Sequence, residues 1–178
     1  GMAAISITRT GRTAAGDTVL FRTLPGGTAV QGTDYVGVTN QPVTFNAGQT
    51  TTSVQVPIIN NSNIVGNRTV NLAITSPSVG LSLGSPRTAV LTILEDDATI
   101  QFASPTISVT EGSNAVLTVT RTGGTVSPAT VAYTTANGTA TAGSDYTVKA
   151  GILTLGAGIS TQTITIATPL ILVGLSSA

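Results

Sequence analysis

The chain has no cysteine, no histidine and no tryptophan, and its aromatic residues are three Phe and three Tyr in 178 positions. Without cysteine no disulfide can form and no thiolate can hold a metal or act as a nucleophile. Without histidine the commonest general base and the usual ligand of catalytic zinc are missing. Charge is scarce as well: seven basic and seven acidic residues cancel, and charged residues make up 8% of the chain. A neutral chain with so few cations is a poor match for nucleic acid or for electrostatic docking on an anionic membrane. The longest aliphatic run near the end, Leu170–Val173, is far too short to span a bilayer.

What is present is threonine, the commonest residue, with valine and 20 glycines. Thr and Val favour strands and Gly favours turns, so the composition is that of an all-β protein. Period-two alternation agrees. Val54, Val56 and Ile58 alternate with Ser53, Gln55 and Pro57. Val70, Leu72 and Ile74 alternate with Asn71, Ala73 and Thr75, and Ile164 and Ile166 with Thr163 and Thr165. One face is apolar and the other mostly Thr, the pattern of half-buried antiparallel strands. No stretch carries a convincing helical period.

The chain also repeats itself. Ile5-Ser6-Ile7-Thr8-Arg9-Thr10-Gly11 returns as Leu117-Thr118-Val119-Thr120-Arg121-Thr122-Gly123. Gly27-Thr28-Ala29-Val30-Gln31-Gly32-Thr33-Asp34-Tyr35 returns as Gly138-Thr139-Ala140-Thr141-Ala142-Gly143-Ser144-Asp145-Tyr146. The offset drifts from 112 to 111, and to 110 at Val54-Gln55-Val56 against Ile164-Thr165-Ile166. That drift means small loop insertions between two copies of one module, and the period suits a whole small β domain rather than a solenoid unit. Turn signals recur at matching places, Pro25-Gly26-Gly27 and Asn137-Gly138 among them. Short strands with frequent turns predict β-sandwiches of immunoglobulin type. The expected modules are 1–97 and 98–178, joined through Leu94-Glu95-Asp96-Asp97-Ala98. Gly1 ahead of Met2 reads as a tag-cleavage remnant, so a piece of a longer protein is expected.

These motifs resemble the Calx-beta family, the repeat of sodium–calcium exchangers and many bacterial surface proteins. The resemblance is carried by Thr110-Glu111-Gly112, by Leu117 to Gly123, and by Asn137-Gly138-Thr139-Ala140 with Ala142-Gly143-Ser144-Asp145-Tyr146. In the first module Gly32-Thr33-Asp34-Tyr35, Phe45-Asn46-Ala47-Gly48 and Val90 to Asp97 fit the same pattern. It implies a tandem of Calx-beta-type sandwiches, the first lacking its opening strand and the second truncated at its C-terminal end. Open sheet edges of that kind tend to pair with other chains, so self-association is expected alongside contact with other modules of the parent protein.

The resemblance also implies calcium. That ion takes six to eight oxygen ligands, chiefly carboxylates. Carried over by position, the first module offers Asp34, Asp96 and Asp97, with Glu95 as an extra ligand, and the second offers Glu111 and Asp145. The first module departs from the pattern at Asn60-Asn61-Ser62-Asn63 and at Val65 and Asn67, where the late turn is usually acidic. Amides ligate without charge and weaken affinity. The alternative for the same acids is structural: Asp before Tyr caps a turn, and Asp-Asp at a strand end is a solvated linker.

No catalytic constellation competes. Gly80-Leu81-Ser82-Leu83-Gly84 spells the nucleophile-elbow pattern, but that elbow needs a strand–turn–helix setting and a histidine. Asn60, Asn67 and Asn137 open glycosylation sequons that matter only in a eukaryotic secreted protein. Arg9 and Arg121 recur at one module position, where the simplest roles are pairing with a loop acid or lying over apolar surface. The expected function is non-enzymatic: a calcium-responsive adhesion or spacer segment of a larger extracellular or cell-surface protein, bacterial in style. Its rivals are a metal-free stalk and an accessory module of a secreted enzyme.

Overall fold

The computed structural model describes residues 1–170; residues 171–178, with most of the Leu170–Val173 run, lie outside the described residues. All regular elements among them are strands: β1 (Met2–Thr8), β2 (Asp17–Leu24), β3 (Gln41–Phe45), β4 (Thr51–Pro57), β5 (Arg68–Thr75), β6 (Thr88–Ile93), β7 (Ala98–Phe102), β8 (Asn114–Gly123), β9 (Ala129–Thr134), β10 (Ala150–Leu155) and β11 (Thr161–Ala167). No helix among them is long and apolar enough to cross a membrane. The chain divides into two compact units, Gly1–Leu94 and Glu95–Ala178.

In the first unit β1 pairs antiparallel with β4, and a second sheet runs β3-β2-β5-β6. The alternation read from the sequence sets which side chains face inward. Val19 and Phe21 of β2, Val43 and Phe45 of β3, Val54 and Val56 of β4, and Val70 and Leu72 of β5 form one buried cluster with Ile7 of β1. Two sheets therefore press their apolar faces together, the sandwich that period-two sequences produce. Of the residues between them, Thr44 and Gln55 face out, while Leu20 and Asn71 are half-buried.

The second unit repeats this with sheets β11-β8-β7 and β10-β9. Its core is Val119, Leu153, Leu155 and Ile164, with Ile100, Leu117, Val131 and Tyr133 packed against it. The strand registers make the repeat explicit. Asp17 lies opposite Phe45 in the β2–β3 ladder, and Ala129 lies opposite Leu155 in the β9–β10 ladder. The Arg9 N–H donates to the Thr50 carbonyl and the Arg121 N–H to the Ser160 carbonyl, both at 2.8 Å.

Candidate metal centre

Glu95, Asp96 and Asp97 lie between β6 and β7 in the sequence, and the backbone around them turns their carboxylates toward one another. One oxygen from each lies within 4.8 Å of the others; Asp96 is exposed and its two neighbours are half-buried. At that separation two carboxylates repel by about 0.9 kcal/mol in the dielectric of water, and a cation placed among them would relieve that repulsion. Three specific contacts hold the segment. The Asp97 N–H donates to Glu95 Oε1 at 3.1 Å. The Gly124 N–H donates to the Asp97 carbonyl at 2.7 Å. Ala98 is in register with Gly123 at the start of the β7–β8 ladder. Gly124 is the residue that sequence reasoning missed. A Cβ built on it would lie 2.8 Å from the Asp96 Cα and closer still to the Glu95 carbonyl, so only glycine permits this approach. Its signal was the doubled Gly123-Gly124, where the first copy reads Gly11-Arg12.

The remaining candidate acids stand apart from this group, the only one of three or more acids found among the described residues. Asp34 is buried and engaged within its own unit. Its Oδ2 accepts the Val30 N–H at 2.7 Å, its Oδ1 accepts the Asn61 amide at 3.4 Å, and the Arg68 Nε lies 3.8 Å from Oδ2. The Arg68 guanidinium is fixed in turn by donating to the Thr28 carbonyl at 2.8 Å. Every one of these neighbours is a donor, so the Asp34 loop is built around a carboxylate already satisfied. Asn61 shows an N–H rather than an oxygen to Asp34, and its oxygen accepts the Asn63 N–H. Asp145 repeats the turn-capping half of this arrangement, accepting the Thr141 N–H at 2.6 Å; Gly32 and Gly143 share the left-handed conformation, at φ +87° and +88°, that closes both turns. Glu111 is exposed in the turn before β8.

The model of the Calx-beta domain matches residues 1–97 and again 95–169. The chain belongs to the Calx-beta family. Solved tandem structures agree with the two-unit fold. The chain is 27% identical to CBD12 from CALX1.2, covering 94% of this chain and 69% of that one, with a TM-score of 0.58. It is equally identical to calcium binding domain CBD12 of CALX1.1, covering 95% and 69%, with a TM-score of 0.59. An apo-form Calx CBD1 domain, also 27% identical, covers 55% of this chain and 84% of its own, with a TM-score of 0.51. No curated protein matches the chain.

In the first Calx-beta unit the buried charges and aromatic rings are engaged in packing. Arg9 is buried, donates to Asp17 Oδ2 at 2.6 Å, and lies 5.3 Å from the Phe45 ring centroid. It therefore takes both roles open to it, ion pair and cover for apolar surface. Burial pushes the Asp17 carboxyl up, but the Arg9 hydrogen bond, the Arg12 charge and the Ser78 hydroxyl outweigh it and hold the group below its ordinary value. Phe21, Phe45 and Tyr35 are core residues, whereas Phe102 is 53% exposed. Gly80 to Gly84 lie in the loop between β5 and β6, with no helix following.

Proposed function

We propose that these two Calx-beta modules are a non-enzymatic segment of a larger extracellular or cell-surface protein, a spacer or adhesion element, and that calcium is bound at Glu95, Asp96 and Asp97. The observation that carries the reading is the convergence of those three carboxylates. Their donor set is hard, anionic oxygen, which suits calcium and not a soft transition metal. Calcium there neutralises the mutual repulsion of the three acids, so the linker between modules becomes more ordered. The name of one similar structure, a calcium binding domain of CALX1.1, points the same way. Neighbouring modules of the parent protein, and a second copy paired at an open sheet edge, are the partners of this reading.

The test is a thermal melt in excess EDTA and again in about 1 mM calcium, with magnesium as control. A site of Kd near 10 µM adds about 2.7 kcal/mol at that concentration. The rise should vanish in the variant Asp96→Asn with Asp97→Asn. Equal melting temperatures in EDTA and calcium would sink the calcium reading.

A second reading, a metal-free stalk, is favoured by one observation: Arg68 stands beside Asp34. On that reading the Asp34 loop is held by an internal cation, and calcium leaves the first module unchanged. Replacing Arg68 with Met then lowers the stability of the first module in EDTA and in calcium alike.

A further inference from the structure

Arg121 is as buried as Arg9, at 6% exposure against 7%, yet it lacks what makes burial of Arg9 tolerable. The two sit in the same cradle. Arg9 Nη1 donates to the carbonyl of Ala15, six residues on, at 3.0 Å; Arg121 Nη1 donates to the carbonyl of Ser127, also six residues on, at 2.7 Å. The loops beneath are tied alike, by Gly48 N–H to the Thr13 carbonyl and Gly158 N–H to the Thr125 carbonyl. The difference is the counter-charge. Asp17, facing Phe45, supplies it in the first unit. The position facing Leu155 in the second unit is Ala129. Among the described residues no acid pairs with Arg121, and its Nε has no hydrogen-bond partner.

A guanidinium cannot shed its proton in a protein. An uncompensated buried charge is among the most costly features a fold can hold, and it calls for a counter-ion. Alanine differs from aspartate by one carboxylate, so the missing group is the size of formate. We propose that the second unit binds a small monovalent anion, of the chloride or formate class, at Arg121, in the place that the Asp17 carboxylate takes in the first unit. The fork of the guanidinium, with Nε unengaged, presents the donors such an anion needs. The first unit needs no such ligand.

The experiment is calorimetric melting of the full chain at constant ionic strength in sodium chloride, sodium formate or sodium gluconate, whose anion is far larger than the single carboxylate by which aspartate exceeds alanine. Chloride or formate should raise one of the two unfolding transitions by several degrees, and the effect should saturate with concentration. A formate response alone assigns a carboxylate ligand, and a chloride response a halide. Ala129→Asp should raise that transition in gluconate and abolish its dependence on the anion, because the side chain now supplies the charge. Arg121→Met should also abolish the dependence; if that variant does not fold, Ala129→Asp still decides. Identical melting in all three salts overturns the proposal. So does a non-saturating salt effect that persists unchanged in Ala129→Asp.

Discussion

Replacing Gly124 with Ala should do more damage than a single methyl group suggests. Ordinary contact begins at 3.4 Å, and the new Cβ would lie 2.8 Å from the Asp96 Cα. The backbone there must retreat by about 0.6 Å at that atom, and further at the Glu95 carbonyl, to escape the repulsive wall. No flexible side chain can give way, since the atoms the new Cβ meets are main-chain atoms. Overpacking of that kind costs about 1–3 kcal/mol. The same movement stretches the 2.7 Å bond from Gly124 to the Asp97 carbonyl, whose loss adds about 1 kcal/mol. The expected total is about 2–4 kcal/mol. For a domain of this size that lowers the melting temperature by roughly ten degrees or more, read as the second unit's transition in calorimetry. Gly138→Ala is the control, because its Cβ would meet nothing within 4 Å; it should be neutral or stabilising by up to about 1 kcal/mol. A Gly124→Ala chain within about 0.5 kcal/mol of wild type would refute the close-approach argument.

Three further outcomes are expected. Leu155 is fully buried, so Leu155→Ala should cost about 2–5 kcal/mol, whereas Ile152 on the same strand is 71% exposed and Ile152→Thr should stay within about 0.5 kcal/mol; chemical denaturation followed by circular dichroism checks both. The Asp17 carboxyl titrates below its ordinary 3.8 when folded, so the stability it lends is complete above the unfolded value and is lost as pH falls through the folded one. Melting of the first unit should therefore drop below about pH 4, and Asp17→Asn should be less stable at neutral pH with a flatter acid limb. Gly27→Ala should destabilise the first unit, because its Cβ would lie 2.8 Å from the Thr69 carbonyl carbon; unchanged urea unfolding would count against that close approach.

The strands were legible because an alternating Thr/Val pattern admits few other structures, and the repeat made four of them visible twice, β1 to β4 returning as β8 to β11. Glu95, Asp96 and Asp97 became candidates through the family pattern, grouped with Asp34; the structure brings the three adjacent acids together without it. The fate of Asp34 was not legible. Arg68 lies far from it in sequence and reaches it only because β5 pairs with β2, a tertiary relation that local pattern does not encode. The Arg9 pairing was half legible: an acid was expected, but Asp17 could be singled out only once the β2–β3 register placed it opposite Phe45. The same register shows that the repeated arginines have different surroundings, although their sequence motifs are almost identical.

The central claim is that Glu95, Asp96 and Asp97 bind calcium, and isothermal titration of the EDTA-stripped chain with calcium tests it most directly. The account predicts a saturable, calcium-specific heat in the wild type that is absent from the Asp96→Asn, Asp97→Asn chain and retained in Asp145→Asn. No heat in the wild type, or an undiminished heat in the double variant, would contradict it.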